Sequence, residues 1–258
     1  IRSATRSPPR AGNINDATCA RICRLIENED IRESADELKA LGFWAENIFC
    51  EDSRATIATQ QKLEVWAFAG DPILVELMKP HYYSVRFWRG VDVYGAFLTH
   101  YKLIRAVLFQ AVRERAKLGQ DVRRRWITGH GLGGATAQLF AFDMATRGQP
   151  VDHIVTFGQP RVGRECWTLA YNHHYRNFTR RYVNHRDPIC ELPETQKGFL
   201  HSVGEQYIDG KGELSKRNTW WFRTRDQLRH EESNGTGSAP LDLEDHGIVE
   251  YILKLEKK

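Results

Sequence analysis

"RRRWITGHGLGGATAQLFAF", residues 123–142, passes from a basic stretch through an apolar, strand-like run into a cluster of glycines and then a helix-like run. Gly129, Gly131, Gly133 and Gly134 fit two patterns at once. They spell G-x-G-x-x-G, a dinucleotide-binding fingerprint, and they also spell G-x-S-x-G with glycine in the place of the serine. The two patterns imply different sites on different α/β sheets, and the residues around them decide between the two.

A dinucleotide turn uses glycines so that backbone N–H groups can approach a pyrophosphate at a helix N-terminus. It also needs a carboxylate at the end of the next strand, about 20 residues on, to hold a ribose. Here the next strand-like run, "HIVTFGQP", ends in Phe157, Gly158 and Gln159, and Asp152 lies at its beginning, the wrong end. A long stretch of chain also precedes the motif. The second pattern is a nucleophile elbow, a tight strand-to-helix turn that lifts one side chain above the sheet. Gly129 and Gly133 hold the two positions where neighbouring backbones come close, and Gly131 holds the nucleophile's position. In α/β-hydrolases an acid and a histidine follow in that order. Asp187, after "YVNH", and His246, at the entry to the last helix-like run, meet that requirement.

The 258 residues, 41% hydrophobic and 27% charged, suit one sizeable globular domain. No apolar run approaches the ~18 residues of a membrane span, so no transmembrane segment is expected. The net charge of +4 is mild, and the basic runs Arg113–Lys117 and Arg123–Arg125 read as solvated faces without the interleaved aromatics of a nucleic-acid surface. Five cysteines at irregular spacing demand no oxidising compartment. Cys19 and Cys23, four apart, read as a semi-buried pair on a helix face rather than half a metal site. Ile1 in place of Met is compatible with a removed start codon or leader, and no compartment is assigned.

Residues 1–15 read as a polar tail or draped arm, with 16–258 as a single domain. Asp16 is expected to cap a helix over 17–27, and "IRESADELKALG" reads as a second helix, stopped by Gly42. Strands are expected at about 49–58 and 62–69, turning on "TQQK", followed by a short apolar piece, "DPILVELM". Residues 93–118 read as the longest helix. Then follow the strand "RRRWITG", a helix over 134–147, the strand "DHIVTFG", a helix over 162–175 and the strand "FTRRYVNH". Further strands are expected near 201–208 and 218–223, and "LEDHGIVEYILKL" closes as an amphipathic helix. Strands alternating with helices predict a mainly parallel sheet with helices on both faces.

Gly129–Ala135, "GHGLGGA", resembles the G-H-S-L-G-G-A pattern of the class 3 lipases, the fungal-type triacylglycerol lipase and feruloyl esterase family of the α/β-hydrolase fold. Similar stretches follow in order at "VTFGQPRVG" (155–163), "YVNHRDPICELP" (182–193), "GFLHSVGEQYI" (198–208) and "DHGIVEYI" (245–252). "VYGAFLTHY" (93–101) stands where the family has an H-x-G-F segment, with Tyr94 in place of its histidine. The resemblance covers roughly residues 45–255.

The resemblance implies Asp187 as triad acid and His246 as base, with His201 a rival for the base and His130 a packed structural histidine. It implies an oxyanion hole from the backbone N–H groups of Asp71 and Leu132. Asp71 replaces a hydroxyl residue, so its carboxylate is electrostatically wrong beside a developing oxyanion unless it turns away or is protonated. Residues 71–88 occupy the place of the family's lid, where Ile73, Leu74, Leu77 and Met78 form either a lid's apolar face or core. The implied substrate is an acylglycerol or related ester, met at a lipid interface, with no cofactor, metal or nucleic acid. Without a hydroxyl at 131 the chain is expected to be inactive or strongly impaired. Two histories fit: a serine replaced by an inactivating glycine, and a natural pseudoenzyme that binds lipid or another protein.

Overall fold

The computed structural model describes residues 14–28, 30–50, 53–70, 85–117, 124–215 and 243–257. The chain opens with α1 (Asp16–Glu27) and α2 (Ile31–Ala40). Asn15, not Asp16, caps α1: its Oδ1 accepts from the Thr18 amide at 2.9 Å, while the Thr18 hydroxyl accepts back from the Asn15 amide. Asp16 is buried and works elsewhere. It accepts from Arg180 at 2.8 Å and from the Tyr182 hydroxyl at 2.6 Å, tying α1 to the sheet. His153 stands 3.7 Å from its other oxygen, too far for a hydrogen bond. Asp30 caps α2 through the amides of Arg32 and Glu33.

Three antiparallel strands follow, β1 (Trp44–Cys50), β2 (Ser53–Gln60) and β3 (Leu63–Phe68). The single strand expected at 49–58 straddles the junction of β1 and β2. β1 lies at the sheet's edge with Trp44 and Phe49 exposed, so it carries little apolar alternation to read. The β2–β3 hairpin turns on Gln61 and Lys62 within "TQQK", Gln61 having a positive φ of 52°.

β4 (Val85–Trp88) and β5 (Val91–Tyr94) form a separate hairpin. The last four residues of the expected lid segment are therefore strand. The chain reverses at Arg89 and Gly90, whose φ values of 50° and 85° suit a two-residue turn matched to strand twist. Then come α3 (Gly95–Lys117), β6 (Arg124–His130), α4 (Gly131–Ala145), β7 (His153–Phe157), α5 (Glu165–Tyr175), β8 (Thr179–Asn184), β9 (Glu205–Ile208) and α6 (Ile248–Glu256). α4 starts three residues earlier than expected, because its first turn is built from the glycines themselves. "DPILVELM" and the strand expected at 218–223 lie outside the described residues.

The main sheet runs β1-β2-β3-β6-β7-β8-β9, antiparallel through β3 and parallel from there on. Alternation along the strands splits the core between two faces. Trp66, Phe68, Ile127 and Ile154 face α3, α4 and α5. Val65 and Ala67 face α1 and α2, and Val155, Phe157 and Tyr182 face α1 and α6. Cys19 and Cys23 sit wholly in this second layer.

The basic run at 113–117 is not all solvated. Arg115 turns inward between Glu46 at 2.7 Å and the buried Glu64 at 3.0 Å, over the ring of Trp66. The fully buried Glu64 needs cationic partners, and Arg115 is within reach because α3 packs on β1 and β2. Asp143 on α4 is buried likewise. It accepts from Tyr101 and pairs with Arg89, Arg105 and Arg147, pinning α3, α4 and the hairpin together.

Candidate active site

β6 passes into α4 without a loop, and Gly131 begins the helix at a φ of +52°, a conformation costly for an L side chain. A Cβ on Gly129 would run into the backbone carbonyl of Gly133. One on Gly133 would run into the carbonyl of Phe68 at the end of β3. The two outer glycines are thus required by backbone against backbone, as the elbow pattern demands. At the end of β3, a Cβ on Gly70 would lie 3.3 Å from the His130 carbonyl oxygen and 3.6 Å from the Leu132 nitrogen. The strand end therefore abuts the first turn of α4, whose leading N–H groups lack intrahelical partners. Asp71, Ile73, Leu74, Leu77 and Met78 lie outside the described residues.

Asp187 follows β8 and is fully buried. Its Oδ1 accepts from the Ile189 amide at 3.0 Å, which starts a short 3-10 turn (Pro188–Glu191). Both of its oxygens stand 2.9 Å from Nδ1 of His246, and its Oδ2 accepts from the Tyr251 hydroxyl at 2.6 Å. The carboxylate accepts at Nδ1, so the imidazole carries its proton there and turns the Nε2 lone pair outward. Nε2 faces Gly131: a Cβ built on that residue would lie 2.9 Å from it. Burial first, then the Asp187 charge, pushes the Tyr251 phenol well above its ordinary range, so it stays a donor.

His246 ends a 3-10 turn (Glu244–His246) just before α6, rather than lying in the helix. The neighbouring Asp245 holds that turn to the end of β8. It accepts from the Asn184 side chain at 3.3 Å, from His185 Nδ1 at 3.0 Å and from the Arg186 amide at 3.2 Å. Burial works to raise the Asp245 carboxyl, but His185, the Arg186 amide and Lys254 hold it below the usual carboxylate range. His201 bonds the Cys190 carbonyl at 2.8 Å and is not the imidazole on Asp187. Tyr94 is buried edge-on against Phe97 and Phe199, an aromatic core position.

The sequence model of the family described as Lipase (class 3) matches residues 63–197, more than half of the chain. The chain belongs to the class 3 lipase family. Among relatives, the lipase of Rhizomucor miehei is 28% identical over 196 residues, covering 68% of this chain and 49% of that protein. The secreted mono- and diacylglycerol lipase 1 of Fusarium solani is 31% identical over 165 residues, covering 61% and 46%. The chain spans about half the length of the curated relatives it matches. The solved Rhizomucor miehei lipase propeptide complex superposes with a TM-score of 0.65 at 24% identity, covering 79% of this chain and 72% of that one. A mutant form of MDLA from Penicillium cyclopium gives 0.64 at 19%, covering 79% and 81%. The fold is the α/β-hydrolase fold.

In this class 3 lipase chain, three contributors to the site escaped the sequence reading. Gly158 follows β7 and lies against the acid and histidine, where a Cβ would stand 2.5 Å from Asp187 Oδ2 and 2.8 Å from His246 Nδ1. "TFGQP" held the signal, a glycine at a strand end two positions before a proline. Tyr251 lies five residues beyond His246, on α6, and its hydroxyl reaches back to the Asp187 carboxylate. Glu27 reaches the site from α1, and no local pattern marks it.

Proposed function

We propose that the constellation of Gly131, Asp187 and His246 is a carboxylic ester hydrolase site whose nucleophile position is vacant of a hydroxyl, built for acylglycerols or related esters met at a lipid surface. The reading rests on one observation: an imidazole steered by a buried carboxylate presents Nε2 to the residue at the head of the elbow. With serine at 131, His246 would take the hydroxyl proton as the oxygen attacks the ester carbonyl. It would then return that proton to the leaving alcohol, while the leading N–H groups of α4 receive the oxyanion. Glycine cannot form an acyl-enzyme. Loss of the nucleophile in a triad enzyme costs about 10⁶ in rate, leaving roughly 10³–10⁴ over water.

The test is Gly131→Ser assayed on short- and long-chain p-nitrophenyl esters. A gain of at least ~10³-fold over the glycine form is expected, and it should vanish again on adding Asp187→Asn or His246→Ala. No gain in a folded Gly131→Ser protein overturns the reading.

One observation favours a second reading, a non-catalytic lipid- or protein-binding module. The His246 ring stands where a side chain at 131 would reach, so the site is packed around a glycine. That reading expects fatty acid to raise the melting temperature of the chain as it stands, and a flat response counts against it.

A further inference from the structure

His130 lies between the elbow and α1, and its surroundings fix the role of both ring nitrogens. Nε2 stands 2.7 Å from the backbone carbonyl oxygen of His246, which can only accept. Nδ1 stands 3.0 Å from Oε1 of Glu27, the last residue of α1, whose ionised carboxylate can only accept. Two acceptor-only partners require two N–H donors, and an imidazole carries two only as the cation. The residue is 7% exposed, so water has little access to replace either partner. Its ring is stacked on that of His246, with centroids 4.4 Å apart and planes 28° from parallel.

We propose that Glu27 holds His130 as a buried imidazolium whose two N–H groups brace the turn bearing His246, making Glu27 and His130 positioning residues for that histidine. The inference rests on reading His246 as the base. Among the described residues, four titratable groups face His130. They are Glu27 from α1, His246 in its turn, Asp187 beyond β8, and Tyr251 of α6, edge-on at 6.0 Å. Burial alone would favour the neutral ring. The charge and hydrogen bond of Glu27, the His246 carbonyl and the Asp187 charge outweigh it, and the proton affinity of His130 ends above the ordinary imidazole value.

The brace has two parts. The hydrogen bond fixes the backbone of His246, and a cation lying on the face of a neutral imidazole is attracted to it and fixes its plane. The neutral form is the one a general base needs. As pH rises, His130 loses one N–H. The remaining one can serve Glu27 or the His246 carbonyl but not both, so α1 and the turn uncouple. Glu27 lies outside residues 63–197, so the brace comes from a segment beyond the family match.

The experiment is ¹⁵N NMR of the histidine rings in the chain as it stands and in Glu27→Gln and Glu27→Asp. At about pH 6, His130 is expected to show two protonated ring nitrogens, each with a slowly exchanging proton. Glu27→Gln is expected to move its titration to lower pH and to shift the His246 ring signals, and Glu27→Asp to restore part of both. A neutral His130 at that pH, or a titration unmoved by Glu27→Gln, overturns the charge assignment.

On the Gly131→Ser background, Glu27→Gln should lower kcat by up to ~100-fold, the scale of an ångström's misplacement, with KM within about twofold. An unchanged kcat beside a shifted His130 titration overturns the positioning role. If Gly131→Ser hydrolyses no ester, the functional reading fails, and the ring signals still decide the charge assignment on their own.

Discussion

A Cβ placed on Gly131 falls 2.9 Å from Nε2 of His246 and 3.2 Å from its Cε1, so any side chain at 131 must displace the imidazole. The residue also holds a left-handed φ of 52°. Gly131→Ser should therefore cost about 1–2 kcal/mol even where it supplies the missing hydroxyl. In a chain of this size that lowers the melting temperature by roughly 2–8 °C. Paired thermal melts check it, and a serine form as stable as the glycine form refutes the strain.

Tyr251 is bonded on both sides: its hydroxyl donates to Asp187 and accepts from the Asn184 amide at 3.0 Å. Tyr251→Phe strips a donor from a buried carboxylate and leaves an amide unpaired, a loss of about 1–3 kcal/mol. A urea midpoint that moves down with an unchanged slope is the expected result.

Gly133→Ala tests the elbow itself. The added methyl would overlap the Phe68 carbonyl, and no flexible side chain is there to yield. A loss of roughly 4 kcal/mol or more is expected, read as insoluble expression or a sharply lowered melting temperature. Near-normal stability would mean that β3 and α4 are not locked together as described.

Acid should weaken the fold through depressed carboxylates. Asp16 is pulled down to about 2: burial would raise it, but its partners, Arg180 and Tyr182 among them, overcome that. Asp143 and Asp245 are lowered as well, against burial, by their cationic and hydrogen-bonding partners. A folded-state value below the unfolded one means that the unfolded chain binds more protons. The stability is thus complete above the unfolded value near 4 and is lost as pH falls towards 2. Asp16 alone accounts for roughly 2 kcal/mol of that limb. Asp16→Asn should flatten the decline between about pH 4 and 2 in denaturation midpoints, and an unchanged decline would detach Asp16 from it.

Much of the architecture was legible from the sequence because period and punctuation agreed in the parallel half. "RRRWITG", "DHIVTFG" and "FTRRYVNH" became β6, β7 and β8 in register, with helices between them. The antiparallel edge was less legible. β1 exposes most of its side chains, and β4 and β5 are four-residue strands whose pairing depends on a turn at Arg89 and Gly90. At the site, Asp187 and His246 follow from motif order, and the structure brings them together. Glu27 does not, because it reaches the site from the other end of the chain, and Tyr251, though only five residues past His246, is tied in by a hydrogen bond to Asp187 that no sequence pattern marks. Asp16 shows the opposite error: a residue well suited to a cap is drawn inward by Arg180 and Tyr182, and its neighbour Asn15 takes the cap.

α1 and α6 share one face of the sheet and are joined by Arg21 and Glu256, 235 positions apart. Glu27 ends the first of these helices, and His246 lies two residues before the second. Closing so long a loop costs entropy that only the finished core repays, so Glu27 and His246 are expected to meet around His130 late in folding. The His130 ring signals, which need both helices in place, should thus double as a gauge of complete folding, absent in any intermediate where either helix has yet to dock.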